Sequence, residues 1–584
     1  MCGIAGVVMR DGSAPDADVL GRLQVAIAHR GPDGQGTVVR GDTALVHNRL
    51  AIIDLVTGDQ PLYSPGGAAL VCNGEIYNNP ELRQVMACTL FRTHSDCEPP
   101  VFLFEREGPP YGDRLRGMYA IAIHDPARNR LVLTRDPFGI KPLYYVQTDA
   151  LFAFASEPQA LIAAGLARPG IDPRRRAELL QLKFTTGETT IFPGIHRVLP
   201  GETLVVERGA IVERRRRPAL PAGAPIPITH AAALQRLEQV LIDSVTVHLR
   251  SDVPYGLFLS GGIDSSALLA LMTRITAQRI QVLTVGWAGE GVDESHEAER
   301  LAKIMRADCH RLEMSTRDFW RLAPRIAAAI DDPTADAAVL PSYMLGQAAA
   351  AGSLKVTLCG EGGDELFGGY SRYRKCRAPW RWFARPPRSK GVFGASGILA
   401  GWRDGIAAIQ GGRCQHRSPL QVAQAVDIAE WLPNDLLTKL DRCLMAHGVE
   451  GRTPFLDPVV AEFAFRLPDA LKTGVRFGKL LLRDWLAGAF PQAGAYARKK
   501  GFKPPVGPWM AARADELSSL VSAQPGVAEI MPREQVVAAF ANAAHDSQPA
   551  WSLLYYALWH SHHIAGVPAD GDIPEVLHAA SRTL

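Results

Sequence analysis

A cysteine, Cys2, stands directly after the initiator methionine and before Gly3. If Met1 were removed, Cys2 would carry both a thiol and a free α-amine. An α-amine has a pKa of about 7.7–8.0 in unstructured peptides, so it is partly neutral near neutral pH and could accept the proton of its own thiol. Cys2 is therefore a candidate nucleophile. The alternative is a small buried residue near the start of the chain.

A second candidate site follows the apolar segment 255–259, where residues 260–266 read SGGIDSS. Glycines let a backbone approach phosphate oxygens, and a helix that starts here would add free N–H groups and its positive dipole end. Serine hydroxyls would add donors, and Asp264 could hold Mg²⁺. No Gly-Lys-Ser/Thr sequence follows, so this is not the Walker pattern. The alternative is a glycine-rich turn with a serine cap.

Acidic and basic residues further along the chain could extend this second site. Residues 359–370 read CGEGGDELFGGY directly after a predicted strand at 355–358, and Gly478 with Lys479 follows later. A lysine suits such a site because its positive charge would offset the negative charge of phosphate groups. A solvated loop acid is the alternative for Glu361, and an exposed lysine is the alternative for Lys479.

Several segments follow Cys2 in a fixed order: HRGPDG at 29–34, RLAIID at 49–54, NGEIYN at 73–78, HSDCE at 94–98 and RDPFGIKPLYY at 135–145. Together they resemble the class II glutaminase domain of the asparagine synthetase B family, over roughly residues 2–200. The resemblance implies an N-terminal-nucleophile fold with two sheets between helix layers. It also implies that Cys2 attacks the side-chain amide of glutamine.

The resemblance further implies a role for each residue of a glutamine pocket. Asn73 and the Gly74 N–H would hold the oxyanion, and Arg49 would pair with the α-carboxylate of glutamine. Asp96 and Glu75 would hold its α-ammonium group. The pocket would be completed by the backbone of Ile52 and Ile53.

Simpler alternatives exist for residues of this pocket. Arg49 could be a surface charge, and Asp96 could cap a helix. Asn73 and Gly74 could form a type I′ hairpin turn. The pair Pro99-Pro100 departs from the family, which usually has a helix start there, and could reshape the loop beside Asp96.

Segment 260–266 resembles the S-G-G-x-D-S-S loop of the ATP pyrophosphatases, and segments 359–370 and 441–457 resemble further blocks of the same synthetases. The resemblance implies that Glu361 acts in acyl-adenylate formation or accepts a proton from ammonia. Asp264 and Asp364 would bind Mg²⁺. Cys359 stands where relatives often have serine. The residues implied to contact ATP or pyrophosphate are Leu259, Ser260, Gly261, Gly262, Asp264, Ser265, Ser266, Val285, Cys359, Gly360 and Lys479.

Taken together, the two resemblances imply one reaction. Ammonia released at Cys2 would pass through an internal channel to a carboxylate activated by ATP and Mg²⁺, with release of AMP and pyrophosphate. Ring-closing relatives usually lose the N-terminal cysteine, whereas this chain keeps Cys2, so ammonia transfer is expected. Aspartate, giving asparagine, is the expected acceptor. The alternative is another carboxylate, such as a sugar acid, a cell-wall acid or a peptide carboxyl group.

Periodicity predicts the elements that must position these residues. Strands are predicted at 4–8, 43–52, 68–72, 118–124, 131–134 and 151–155, with a turn at 125–130 and helices at about 16–29 and 80–87. Beyond residue 230, strands at 255–259, 281–285 and 355–358 alternate with helices at 232–249, from Ser265 and at 294–306. Such alternation is typical of a parallel sheet with ligands at the carboxyl ends of its strands.

The expected fold is α/β and α+β in two domains. It comprises an N-terminal αββα sandwich at 2–205, a linker at 206–231 rich in Arg, Pro and Ala, a parallel-sheet α/β ATP pyrophosphatase domain at 232–510, and a helical extension at 511–584. Residues 385–413, rich in Gly and Arg, are expected to form a surface excursion.

Composition argues against several other classes of protein. A net charge of +3 over 584 residues gives no field that favours nucleic acid or a membrane surface, and the arginine runs 174–176 and 214–217 are expected to be solvated. Nine sparse cysteines without a Cys-x-x-Cys pair fit a reducing cytoplasm. Neither a signal peptide nor a membrane-spanning segment is predicted. Composition therefore favours a cytoplasmic protein, and the resemblance implies an enzyme that acts on glutamine, ATP and aspartate, with a homodimer left open.

Overall fold

Buried strands organise the N-terminal domain. A computed structural model describes residues 2–87, 89–287, 293–376, 388, 390–394, 399–412, 417–497 and 504–583. Within these residues the domain has two antiparallel six-stranded sheets. In spatial order, the first sheet contains β10 (His196–Arg197), β8 (Tyr144–Gln147), β9 (Leu151–Ala155), β1 (Gly3–Met9), β3 (Thr43–Arg49) and β2 (Gly34–Arg40). The second contains β12 (Ala210–Arg216), β11 (Glu202–Glu207), β7 (Arg130–Arg135), β6 (Gly117–Asp125), β5 (Ala69–Ile76) and β4 (Leu62–Tyr63).

Successive side chains of a strand point to opposite faces, so each sheet has an inner face and an outer face. The inner faces of the two sheets pack against each other. Between the sheets, Ile4, Val71 and Phe154 belong to one fully buried cluster. Helices α1 (Ala17–Ala26) and α4 (Pro158–Ala163) cover the outer face of the first sheet. Helices α2 (Asn79–Val85) and α3 (Pro99–Glu107) cover that of the second. This arrangement is the expected αββα sandwich.

The segment expected to be a linker, 206–231, begins instead as part of a hairpin. Strand β12 pairs antiparallel with β11 at the edge of the second sheet. Within β12, Arg214 forms an ion pair with Glu188 at 2.7 Å, and Arg217, which follows the strand, donates to the Gly112 carbonyl at 3.1 Å. The linker prediction is wrong for residues 206–216, because an edge strand carries charged residues where a buried strand would carry apolar ones.

The proline pair Pro99-Pro100 occupies the first turn of α3. Proline is well tolerated there, because the first helical N–H groups have no partner within the helix and the fixed φ of proline suits a helix. The departure from the family pattern therefore leaves the helix start in place.

A parallel sheet forms the centre of the C-terminal domain. Its five strands in the described residues are, in spatial order, β15 (Asp308–Met314), β14 (Gln281–Trp287), β13 (Tyr255–Phe258), β16 (Val356–Leu358) and β17 (Glu450–Arg452). Every neighbouring pair is parallel, so the loops that follow β13, β16 and β17 meet at one edge. The predicted α/β parallel sheet is confirmed. Strand β15 was not predicted, because it is half exposed and polar.

Helices surround this sheet and continue to the end of the described chain. A wide-turned π helix spans Asp427–Leu437. The α-helices not yet given are α5 (Pro173–Leu182), α6 (His230–His248), α7 (Ile263–Ile275), α8 (Ser295–Ile304), α9 (Thr316–Ala329), α10 (Val339–Ala351), α11 (Gly363–Phe367), α12 (Ser371–Lys375), α13 (Asp404–Gly412), α14 (Pro419–Val426), α15 (Thr438–Met445), α16 (Pro458–Arg466), α17 (Asp469–Lys472), α18 (Leu480–Ala489), α19 (Val506–Ala511), α20 (Ala514–Ser522), α21 (Pro525–Ala528), α22 (Arg533–Ala541), α23 (Ser547–His563) and α24 (Ile573–Thr583).

The C-terminal helices pack into the core of the C-terminal domain. On α23, the buried indole of Trp551 donates to the Ala335 carbonyl at 3.0 Å, and that of Trp559 donates to the Asp331 carbonyl at 3.1 Å. Residues 511–583 are therefore helical, as expected, but they form part of the domain core rather than a separate extension. Among the described residues, no helix is both long and apolar enough to cross a membrane.

Part of the expected excursion, 385–413, contacts the N-terminal domain. Residues 388, 390–394 and 399–412 are described, and the rest lies outside the described residues. The Val392 N–H donates to the Gln181 carbonyl at 3.0 Å, and Asp404 forms an ion pair with Arg174 at 2.7 Å. Both partners lie on α5.

Two arginines between the domains carry a network of charge-assisted hydrogen bonds. Arg30 donates to Asp441 through both Nη atoms, at 2.8 and 3.0 Å, and to Glu157 at 2.6 Å. Arg442 donates to Asp441 and to Asp331, each at 2.8 Å. The side chains are at most 7% exposed. A buried network of this kind holds the domains in one orientation, because an unpaired buried charge is costly.

Replacing Arg30 by methionine should lower the free energy of unfolding by about 3–5 kcal/mol, because Asp441 and Glu157 would both lose a buried partner. Urea unfolding followed by tryptophan fluorescence measures the change. Arg174→Met is the matched control, since the Arg174–Asp404 pair is 69% and 64% exposed. That pair should contribute less than about 1 kcal/mol. Equal losses in the two variants would contradict a structural role for the buried network.

Candidate active site

Cys2 immediately precedes β1 and reaches across to the second sheet. Its N–H donates to Asn73 Oδ1 at 3.0 Å. Burial raises the pKa of the Cys2 thiol to about 11. Such a thiol is almost entirely protonated at neutral pH, so nucleophilic attack requires a base beside it. The α-amine that removal of Met1 would free lies on the same residue.

Asn73 and Gly74 lie within β5, which pairs with β6, so the hairpin-turn alternative is wrong. Asn73 is fully buried; its Oδ1 accepts from Cys2, whereas its Nδ2 has no hydrogen-bond partner among the described residues. A buried donor without a partner is costly and marks a place for a ligand acceptor. Gly74 has no room for a side chain, because a Cβ would lie 2.2 Å from the Met118 carbonyl oxygen.

Arg49 is the last residue of β3, the strand beside β1. It is 7% exposed, so the surface-charge alternative is wrong. Its Nη1 lies 2.8 Å from Asp59 Oδ1, and its Nη2 donates to the carbonyls of Ile53 and Asp54. Because the Asp59 side chain is 78% exposed, a ligand carboxylate could replace it on the guanidinium.

The backbone carbonyl groups of Ile52 and Ile53, which were predicted to complete the pocket, already accept hydrogen bonds within the protein. The Ile52 carbonyl accepts from the Asp252 N–H at 3.0 Å, and the Ile53 carbonyl accepts from Arg49 at 3.3 Å. Ile52 therefore joins the N-terminal domain to the segment before β13, and Ile53 positions Arg49.

Asp96 and Glu75 are buried acids that act on each other. Asp96 Oδ2 accepts from the Ile76 N–H at 2.6 Å. Glu98 immediately precedes α3, so the helix-cap alternative for Asp96 is wrong. Burial raises the pKa of Asp96 to about 6, and burial together with Asp96 raises the pKa of Glu75 well above its usual value. A cationic ligand is favoured here, because it stabilises the charged forms of both acids.

Hydrogen bonds within segment 260–266 hold the loop between β13 and α7 in one shape. Ser265 Oγ accepts from the Ser260 N–H at 3.2 Å, and Ser266 Oγ donates to the Gly262 carbonyl at 2.7 Å. Gly261 has φ +72°, a conformation that favours glycine. Helix α7 begins after Gly262, and no side chain caps its first N–H groups. An anion is therefore favoured at this end of the helix.

Asp264, in the first turn of α7, and Asp364, in the first turn of α11, converge on Lys479. The Lys479 Nζ lies 2.6 Å from Asp364 Oδ1 and also contacts Asp264. Burial acts to lower the pKa of Lys479, but the two carboxylates raise it above its usual value. Lys479 has φ +57°, a strained conformation for a residue other than glycine. Carboxylates that converge on one cation also fit Mg²⁺, which prefers oxygen ligands.

Glu361 and Cys359 lie in the loop that follows β16. Burial raises the pKa of Glu361, although Lys439 acts to lower it. Cys359 is 2% exposed, and its thiol lies 3.8 Å from the Thr357 carbonyl oxygen. The side chain of Cys359 therefore packs in the core, and its backbone forms the start of the loop.

The remaining residues predicted at the ATP site lie around the same edge of the sheet. Leu259 and Val285 are each 2% exposed, and the Leu259 N–H donates to the Leu283 carbonyl at 3.0 Å. Gly360 lies against α7, where a Cβ would be 3.0 Å from Asp264 Cβ. The structure thus brings the predicted residues together into two sites, one in each domain.

Other contacts in these sites were not predicted. Arg30 Nε donates to the Cys2 carbonyl at 3.2 Å, and Arg452 Nη2 lies 3.3 Å from Glu75 Oε1. Both arginines belong to segments that resemble the family, at 29–34 and 441–457, but their partners are far away in sequence. Lys439, which pairs with Asp336 at 3.1 Å, gave no signal in the sequence.

The turn before Lys479 allows a direct test of this geometry. In Gly478→Ala, the new Cβ would lie 2.2 Å from the Gly368 carbonyl oxygen. The free energy of unfolding should fall by roughly 1–3 kcal/mol, as for other overpacked sites. Gly488→Ala on α18 is the control, since its Cβ would meet nothing within 4 Å. It should raise stability by up to about 1 kcal/mol in the same urea titration. A stable Gly478→Ala protein would contradict this tight turn.

Comparison with known proteins matches a family to each of the two domains. Residues 236–561 match the family described as asparagine synthase, and residues 1–216 match the glutamine amidotransferase domain. A glutamine-hydrolysing asparagine synthetase of Bacillus subtilis is 29% identical over 96% of each chain. A putative glutamine-hydrolysing asparagine synthetase of Mycobacterium bovis is 31% identical over 96% of this chain and 97% of its own. Asparagine synthetase B of Escherichia coli is 28% identical over 83% of this chain and 78% of its own. The chain is therefore an enzyme of the glutamine-hydrolysing asparagine synthetase family.

Proposed function

We propose that this enzyme hydrolyses glutamine at Cys2 and uses the ammonia to convert aspartate, activated by ATP, into asparagine. The observation that carries the proposal is the Asn73 Nδ2 donor beside Cys2, which has no hydrogen-bond partner in the described part of the chain. The second domain of the same chain brings Lys479, Asp264 and Asp364 together behind a glycine–serine loop. Relatives named glutamine-hydrolysing asparagine synthetases match nearly the whole chain, which supports aspartate as the acceptor.

In the first half of the reaction, the α-amine of Cys2 would accept the thiol proton. The thiolate would attack the amide carbon of glutamine, forming a C–S bond. Asn73 Nδ2 and the Gly74 N–H would donate to the oxyanion, an interaction that contributes about 3–4 kcal/mol per donor in comparable sites. The proton then passes to the leaving nitrogen as ammonia departs, and water cleaves the thioester to glutamate. Arg49 and the acid pair Glu75 and Asp96 would hold the ends of glutamine.

In the second half, the loop 260–266 would bind the β and γ phosphates of ATP through its N–H groups and hydroxyls. Asp264 and Asp364 would hold Mg²⁺, which offsets phosphate charge when bound. A carboxylate oxygen of aspartate would attack the α-phosphorus and displace pyrophosphate, and Lys479 would neutralise part of the charge that leaves. Ammonia would then attack the acyl carbon and displace AMP. Glu361, whose pKa is raised by burial, would accept the proton that the nitrogen loses.

Cys2→Ala should abolish glutamine-dependent amide formation, because the nucleophile is lost, while ammonium salts still support the synthetase reaction. Amide and glutamate are measured in parallel with each nitrogen source. Glu361→Gln is the reciprocal variant, and it should impair the reaction with either nitrogen source while glutamine hydrolysis continues. The division of the reaction between the two domains would be contradicted if Cys2→Ala lost synthesis with ammonium salts as well as with glutamine. Normal synthesis in Glu361→Gln would contradict it too.

The acceptor is tested by a substrate screen. Purified enzyme with glutamine and ATP·Mg²⁺ should release pyrophosphate and form asparagine when aspartate is added. Sugar acids, cell-wall diamino acids and peptides with free carboxyl groups are compared at equal concentration. If aspartate yields neither product and another acid yields pyrophosphate and its own amide, aspartate is the wrong acceptor and the wider amidotransferase mechanism stands. If no acid yields pyrophosphate, the proposed synthetase reaction is wrong as well.

A further inference from the structure

One guanidinium connects the two candidate sites. Arg452, at the end of β17, is fully buried and donates through Nε to Glu450 Oε1 at 2.6 Å. Its Nη1 donates to the carbonyls of His248 and Arg250, at 2.8 and 2.6 Å. These contacts hold its remaining nitrogen, Nη2, at 3.3 Å from Glu75 Oε1 in the N-terminal domain.

The backbone of Arg452 belongs to the other site. Its carbonyl accepts from the Cys359 N–H at 2.8 Å, and β16 and β17 pair Leu358 with Arg452. Cys359 begins the loop that carries Glu361. The same residue therefore fixes the start of the synthetase loop and touches an acid of the glutamine pocket.

The charge of Arg452 matters because Glu75 stands among acids. Burial and Asp96 raise the pKa of Glu75, Glu450 adds to the rise, and Arg452 lowers it. Arg452 also acts to lower the pKa of Asp96. The Cys97 thiol donates to Asp96 Oδ2 at 3.7 Å. The Tyr77 hydroxyl, whose pKa is itself raised by burial, is a further titratable group beside them. The amino group of the chain, like Arg452, acts to lower the pKa of Glu75. Without Arg452, both acids would hold protons to higher pH.

We propose that Arg452 is a positioning residue of the glutamine pocket: it is supplied by the C-terminal domain and holds Glu75 ready, as a carboxylate, to bind the α-ammonium of glutamine. The carboxylates can share that ammonium because the guanidinium offsets part of their mutual repulsion. Glutamine affinity then depends on a residue of the synthetase domain. This inference rests on the glutaminase half of the proposed function and is independent of the acceptor.

The test measures glutamine hydrolysis without ATP or acceptor. Arg452→Met should raise the KM for glutamine about tenfold or more at pH 7, with a smaller change in kcat, because it removes ground-state binding rather than the nucleophile. The pH below which KM rises should also move upward, since the acids lose the cation that lowers their pKa values. Arg452→Lys, which keeps the positive charge but loses the planar guanidinium with its fixed N–H donors, should recover part of the affinity for glutamine.

Arg116→Met is the matched control, because Arg116 also bridges the domains but pairs with Asp457 and Asp243, at 2.8 and 2.6 Å. It should leave the KM for glutamine and its pH dependence close to those of the parent enzyme. An unchanged KM in Arg452→Met, or an equal rise in Arg116→Met, would overturn the proposal. Glutaminase activity that survives in Cys2→Ala would instead overturn the proposed function.

A double-mutant cycle with Glu75→Gln separates a direct effect from general disruption. If Arg452 acts through Glu75, adding Arg452→Met to Glu75→Gln should raise KM much less than about tenfold, whereas independent effects would multiply. Should Arg452→Met fail to fold, Glu75→Gln alone decides. It should raise the KM for glutamine and flatten its pH dependence, and an unchanged profile would rule the proposal out.

Discussion

The arrangement of the two domains depends on arginines that have almost no access to water. Arg30 and Arg442 share Asp441, and Arg452 lies between Glu450 and Glu75. Taking such charges out of water is costly unless each finds partners with good geometry. Apolar surfaces can slide past one another at modest cost, but a displaced domain would leave several buried ions unpaired. The charges therefore favour one orientation.

The buried arginines between the domains also contact both candidate sites. Arg30 donates to the carbonyl of Cys2, and the carbonyl of Arg452 receives the N–H of Cys359. Each site thus contains an atom whose position is set from the domain interface. The proposed transfer of ammonia between the two sites would need such a fixed relation, because ammonia that escapes to water is protonated at neutral pH.

The sequence predicted the elements whose periodicity is strong and local. The apolar runs of β1, β6 and β13 and the glycine–serine loop before α7 are of this kind. The hairpin β11–β12 was missed, because an exposed edge strand that ends in three consecutive arginines after Glu213 has the composition of a linker. The roles of Arg30 and Arg452 were missed for another reason. Their partners Asp441 and Glu75 lie in the other domain, and charge pairing over such separations leaves no periodic signal.

The contact between Arg30 and Asp441 spans 411 positions of the chain. On a ribosome, the N-terminal domain is complete long before Asp441 is synthesised. During that interval Arg30 has Glu157 as a partner, and the face that α15 and β17 later cover is open to solvent. Removal of Met1, which the proposed function requires, needs access to the first residues, so we expect it to occur before the second domain closes over them.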